Sequence, residues 1–175
     1  VRCTKRKKEK IPAHPLPLTP HASRIQVAAG LISRDGRYLI ARRKAGVHLG
    51  GFWEFPGGKR EQGESLEACL RRELREELGI EVTLPVFFRI ISHAYPEKTV
   101  ELHFFRCSIA AGEERALGCD EVRWVAAGEL AGFEFPPADR PLVELLQKGV
   151  TCHAASDPLP SLPHEGGGQV GVTSD

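Results

Sequence analysis

The chain has 175 residues, 41% of them hydrophobic, and a formal net charge of +1. That suits one domain with tails and a real core, and the near-neutral balance supplies no field for a stable nucleic-acid complex or a membrane surface. The five cysteines are scattered and form no Cys-x-x-Cys pair, and no apolar run has the length of a membrane span or signal-peptide core. Reduced thiols in a cytoplasmic protein are therefore expected, not a disulfide framework or a zinc site.

In chain order, residues 1–24 are basic and then proline-rich. Such a composition cannot bury a core, and a disordered, solvated tail is expected. "IQVAAGLISR" and "RYLIARR" flank Asp35–Gly36, a turn signal, and predict a hairpin. The stretch "EFPGGKREQGE" brings Pro56, Gly57, Gly58 and Gly63 together, so a glycine-rich turn is expected before the next element. Residues 65–78, "SLEACLRRELREEL", predict a helix with Ser65 as N-cap and Gly79 as its stop. Residues 81–95 and 98–109, rich in β-branched and aromatic side chains, predict two longer strands, and "EVRWVA" a short one. "ADRPLVELLQK" predicts a second helix, interrupted early by Pro141. Residues 150–175 are Pro/Gly/Ser-rich without periodicity and read as a disordered tail, with His153 and His164 incidental. Strands mixed with two helices predict an α/β domain over residues 25–149, a sheet between helices.

The helix at 65–78 carries the chemistry. At 3.6 residues per turn, Leu66, Leu70, Leu74 and Leu78 form the core stripe. Glu73, Glu76 and Glu77 fall within an arc of roughly 100° beside it. Arg71 and Arg75 lie largely opposite, and Arg72 flanks the glutamates. A helix built only for solubility intersperses its acids with bases. Converging carboxylates make sense around a hard divalent cation, which takes oxygen ligands and often retains substrate phosphates. An ordinary amphipathic helix after a glycine turn is the competing reading of the same pattern.

Residues 58–80 match the Nudix box, G-x5-E-x7-R-E-U-x-E-E-x-G-U, at Gly58, Glu64, Arg72, Glu73, Leu74, Glu76, Glu77, Gly79 and Ile80. Chance agreement is on the order of 10⁻⁹ per start. The sequence thus resembles the Nudix hydrolases, which cleave nucleoside diphosphates linked to another moiety. The resemblance implies an α/β/α sandwich with a mixed sheet. It implies that Glu73, Glu76 and Glu77 bind catalytic Mg²⁺ or Mn²⁺, with a backbone oxygen from Gly57–Gly58. Arg72 would hold Glu73 in place, and Glu64 would be an accessory carboxylate. "VAAGLI", "LIARR", "LGGFWEFPGGK" and "FEFPPADRPLVELL" extend the likeness to the MutT-type branch, which sanitises oxidised nucleotides such as 8-oxo-dGTP. Arg43 then falls where a phosphate-binding arginine is expected. Glu54, with the Phe52–Phe55 stretch, falls near the nucleoside pocket, and Lys98 falls where a substrate-lid cation occurs.

Two departures bear on substrate and metal. After "FPPA" MutT has Asn, whose amide both accepts and donates; here stands Asp139. An ionised Asp only accepts, suiting an exocyclic amine as on cytosine, and needs a proton to face a carbonyl. Asp139 is also a good N-cap for the helix that follows. Many relatives carry a further metal-binding carboxylate in the loop before the Trp strand. Here Glu113, Glu114, Asp120 and Glu121 are candidates, with Gly118 at the position of first interest. The expected activity is metal-dependent hydrolysis of a nucleoside triphosphate to monophosphate and pyrophosphate. 8-oxo-dGTP is the first substrate, CTP or a modified dCTP the alternative. A non-catalytic base-binding module is the alternative of another class, but such modules usually lose the box glutamates kept here.

Overall fold

The computed structural model describes residues 23–149. The expected terminal disorder, His153 and His164 lie outside the described residues. The boundary at 24 shifts slightly, because Ser23 and Arg24 already belong to the first strand.

Strand β1 (Ser23–Arg34) turns into β2 (Arg37–Arg42) through Asp35–Gly36 as predicted. Both turn residues have positive φ, 51° and 72°. That is the type I′ geometry whose twist matches a hairpin. Two short strands follow that lack any alternation to reveal them: β3 (Trp53–Glu54) and β4 (Gly57–Lys59). Helix α1 (Leu66–Leu78) is capped as expected. The Ser65 hydroxyl accepts from the Ala68 amide at 3.1 Å, and Gly79 closes the end at φ 69°.

The predicted strand at 81–95 is two strands, β5 (Glu81–Val82) and β6 (Val86–Ala94). Pro85 between them has no amide for a ladder. The predicted strand at 98–109 likewise divides into β7 (Lys98–Cys107) and β8 (Ile109–Ala111), and β8 leaves to pair with β5. β9 (Glu121–Ala126) leads into a 3-10 segment at Ala127–Gly132 and then α2 (Arg140–Gln147). Pro141 does not interrupt α2; it sits in the first turn, where an amide has no intrahelical partner anyway.

Among the described residues the main sheet runs β3-β2-β1-β7-β6, with β4 beside β1 and β9 beside β2. β1 and β7 are parallel and the other pairs antiparallel, so the sheet is mixed as expected. α1 covers one face through Leu70, Leu74 and Leu78 against Ala28, Ile32, Leu39 and Phe105. α2 and the 3-10 segment cover the other through Leu130, Leu142 and Leu146 against Leu31, Ile40 and Phe104. Each fully buried leucine contributes about 1.5–3 kcal/mol. The site arises where β1 forks. Val27–Ala29 pair with β4, while Ser33–Arg34 pair with β2. The fork opens a cleft and sets the Gly57–Gly58 backbone against α1. No helix among the described residues is long and apolar enough to cross a membrane.

Candidate active site

A cleft of about 430 Å³ opens beside the fork. Arg43, Glu54, Gly57, Gly58, Glu73 and Glu77 line it together with Tyr95, Lys98, Leu102, Ala138 and Asp139. The structure thus gathers in one place residues that are nearly a hundred positions apart in the chain.

α1 turns Glu73 and Glu77 into the cleft because the leucine stripe beside them is buried in the core. Glu76 is the exception: its side chain is 58% exposed against 15% for Glu73, and it does not line the cleft. Arg72 lies behind the row and binds three glutamates. Its Nε and Nη2 fork onto the two oxygens of Glu64 at 2.9 and 3.1 Å. Its Nη1 donates to Glu73 at 2.8 Å and to Glu76 at 3.3 Å. Bidentate geometry of this kind is what a planar guanidinium supplies and an ammonium does not. These bonds from Arg72, with the Glu61 amide, hold the Glu64 carboxyl down at about 2.

The two glycines are required by close approach. A Cβ on Gly58 would stand 2.1 Å from the Glu73 carboxyl carbon, and one on Gly57 2.0 Å from the Ala28 carbonyl oxygen. The Gly58 carbonyl accepts from the buried Cys69 thiol at 3.5 Å. Burial, then the charges of Glu64 and Glu73, push that thiol up to about 11, so it stays protonated and inert.

Arg43 donates through Nη1 to Glu54 at 2.5 Å and through Nε to the His48 carbonyl at 3.1 Å. Burial raises the Glu54 carboxyl; the Arg43 charge and hydrogen bond pull it back, and Glu73 pushes it further up. Glu77 is pushed up to about 7, by burial first and then by the charges of Glu54 and Glu73. Three carboxyl groups are therefore held together against their own repulsion, with Arg43 bonded to Glu54 and Arg72 to Glu73.

Whether a metal fits is a question of donors and charge. Among the described residues no three acidic, histidine or cysteine side chains converge tightly enough to grip an ion as they stand. The donors that Glu54, Glu73, Glu77 and the Gly57–Gly58 backbone bring to the cleft are carboxylate and backbone oxygens, the set a hard divalent cation takes. The elevated Glu77 and Glu54 carboxyls mark where added positive charge is most welcome. The residues present fit such an ion.

Asp139 is buried and stands at the N-terminal boundary of α2, yet its side chain makes no capping hydrogen bond. The capping expectation fails there, because Asp139 has helical backbone angles and its carboxyl lines the cleft. Burial, then the Glu54 charge, raise that carboxyl well above the usual range, with Arg43 opposing. Trp53 and Phe55 do not line the cleft: both are buried in the core, Phe55 stacked on Phe135, leaving Glu54 as the cleft residue of that stretch.

The loop before Trp124 sends no carboxylate into the cleft lining. Glu114 accepts from Arg34 and from the Trp124 indole. Asp120 accepts from the Ala45 amide, Glu121 pairs with Arg42 and Arg123, and Glu113 pairs with Arg115. His48 and Tyr95 do line the cleft, their rings edge to face 6.4 Å apart. Sequence reasoning passed over both, since a lone aromatic or histidine in a turn carries no periodic signal.

A family model described as a NUDIX domain matches residues 27–145. An 8-oxo-dGTP diphosphatase of Proteus vulgaris is 43% identical over 83 residues, 47% of this chain and 74% of that protein. A CTP pyrophosphohydrolase of Escherichia coli K12 is 38% identical over 120 residues, 69% of this chain and 89% of its own. The crystal structure of the MutT protein from Methanosarcina mazei Go1 superposes with a TM-score of 0.65 at 26% identity, over 75% of this chain and 98% of that one. With the mixed sheet between helices and the complete box from Gly58 on β4 through α1 to Ile80, these likenesses settle the family: the chain belongs to the Nudix hydrolases, in their MutT-type branch.

Proposed function

We propose that this protein is a Mg²⁺- or Mn²⁺-dependent nucleoside triphosphate pyrophosphohydrolase whose first substrate is 8-oxo-dGTP. The observation that carries the reading is one cleft lined by Glu73, Glu77, Glu54 and Arg43 and also by the buried Asp139. In this reading the triphosphate lies over the acids and the base meets Asp139.

In this reading Glu73 and Glu77, with Glu76 from the outer side and a backbone oxygen of Gly57–Gly58, hold the cation. The bound cation would offset phosphate charge and lower the pKa of an attacking water. Arg72 keeps the Glu73 carboxylate fixed, with Glu64 as its counterweight. Arg43 and Lys98 offer positive charge to the phosphates. A glutamate of the flank accepts the water's proton. Water attacks one phosphorus in line and the α–β phosphoanhydride P–O bond breaks: attack at the α-phosphorus expels pyrophosphate with the electron pair, attack at the β-phosphorus expels the nucleoside monophosphate, and the products are the same.

Asp139 bears on the base. Burial, then the Glu54 charge, shift its carboxyl toward the protonated form, with Arg43 opposing. A protonated carboxyl both donates and accepts, as an amide does, so it can face the carbonyl-bearing edge of an oxidised guanine. The CTP reading has its own support: an ionised Asp139 would accept from an exocyclic amine, and a CTP pyrophosphohydrolase is among the similar proteins. A panel of 8-oxo-dGTP, dGTP, CTP and 5-methyl-dCTP at low concentration separates the two by kcat/KM. We expect 8-oxo-dGTP to lead, and Asp139→Asn to keep or raise that preference while lowering turnover of the cytosine nucleotides by about tenfold. A wild-type ranking led by CTP, collapsing in the same variant, selects the second reading.

A further inference from the structure

Glu77 is held from behind as well as facing the cleft. The segment 115–118 crosses the C-terminal end of α1. The amides of Leu117 and Gly118 both donate to the Glu77 carbonyl at 2.9 Å, and the Arg115 amide donates to the Leu78 carbonyl at 3.0 Å. Carbonyls in the last turn of a helix have no intrahelical donors, so these three amides complete α1 from outside.

Gly118 is not among the residues with positive φ, so its backbone does not call for glycine. Close approach does. A Cβ there would stand 2.8 Å from the Glu77 Cγ, 2.9 Å from its Cα and 3.0 Å from its Cβ. Those atoms are the root of the glutamate, not a free end that can swing aside. The segment is also anchored beyond Gly118. Lys44 Nζ donates to the Leu117 carbonyl at 3.3 Å, the Asp120 amide donates to the Arg42 carbonyl at 2.9 Å, and the Asp120 carboxylate accepts from the Ala45 amide at 3.2 Å. Its anchors, Arg42, Lys44 and Ala45, flank Arg43.

We propose that residues 115–120 form a positioning strap that sets where the Glu77 carboxylate stands and ties it to the Arg43 segment, with Gly118 as the position that lets the strap close. Any side chain at 118 must either lift the strap off the Glu77 carbonyl or displace the Glu77 side chain. Both move the carboxylate relative to Glu73, Glu54 and the Gly58 backbone. The strap thus acts through Glu77, and the inference rests on the reading of Glu77 as part of the metal-holding flank.

The test is Mn²⁺ binding to the full chain without nucleotide, followed by electron paramagnetic resonance, in wild type, Gly118→Ala, Gly128→Ala and Glu77→Gln. We expect Gly118→Ala to weaken Mn²⁺ binding at least fivefold. Gly128→Ala should bind as wild type does, since a Cβ there meets nothing within 4 Å. Loss of binding in Glu77→Gln together with wild-type affinity in folded Gly118→Ala overturns the strap alone. Wild-type affinity in Glu77→Gln overturns the metal reading beneath it. Should Gly118→Ala not fold, hydrogen exchange on the wild-type protein decides. The Leu117 and Gly118 amides should exchange at least 100-fold more slowly than exposed loop amides and slow further on addition of Mg²⁺. Exchange as fast as in an exposed loop, or no response to Mg²⁺, overturns the proposal.

Discussion

Arg72 is the residue on which most of the acidic row depends. It is the only guanidinium hydrogen-bonded to Glu64, Glu73 and Glu76 among the described residues. Lysine keeps the charge and loses the fork, so Arg72→Lys forfeits at least one charge-assisted hydrogen bond, worth about 1.5–3 kcal/mol. If Glu73 must be held to work, kcat/KM falls about 10- to 100-fold, and steady-state kinetics of pyrophosphate release checks it. Glu77 makes a different prediction, on the metal-free protein. Its carboxyl titrates at about 7, above the ordinary value of 4.5. A raised carboxyl contributes stability that is fully present below its unfolded value and is lost as pH rises through the folded one. Glu77→Gln removes that loss, so in EDTA the variant's Tm should gain on wild type between pH 5 and pH 8. A constant Tm difference across that window contradicts the account.

At the scale of elements, α1 carries both core residues and the glutamates of the proposed site, on adjoining faces. Leu74→Ala should cost about 2–5 kcal/mol in a denaturant titration, because Leu74 is fully buried between the two functional turns. Ser65→Ala should cost about 1 kcal/mol through the lost cap, without changing the metal requirement. α1 was also the most legible element, since its leucine period, its cap and its Gly79 stop all agree. β3 and β4 were illegible for a physical reason. Strands of two and three residues have no room for alternation, and they exist only because β2 is there for β3 to pair with and β1 for β4. The long strands were seen but their breaks were not. Pro85 marks one break locally, but that β5 and β8 leave β6 and β7 to pair with each other is a tertiary choice that local propensity does not contain.

At the scale of the whole molecule, the sandwich brings the box on α1, Arg43 at the end of β2 and Asp139 before α2 to one opening. Glu73, Glu77 and Gly58 could be named from the sequence because box spacing and helix geometry coincide there. The side on which Glu76 stands, the core placement of Trp53 and Phe55, and the non-capping carboxyl of Asp139 could not. Each depends on packing between elements distant in the chain. The strap at 115–120 belongs with these, since a glycine in a charged loop gives no hint that a glutamate lies beneath it.

The most direct test of the central claim is the initial rate of pyrophosphate release from 8-oxo-dGTP by the full chain, with Mg²⁺ titrated from zero. The account predicts no release in EDTA, saturable recovery with Mg²⁺, one pyrophosphate for each 8-oxo-dGMP, and near-complete loss in Glu77→Gln. Release without a divalent cation, orthophosphate in place of pyrophosphate, or no hydrolysis of any nucleoside triphosphate by the folded protein would contradict it.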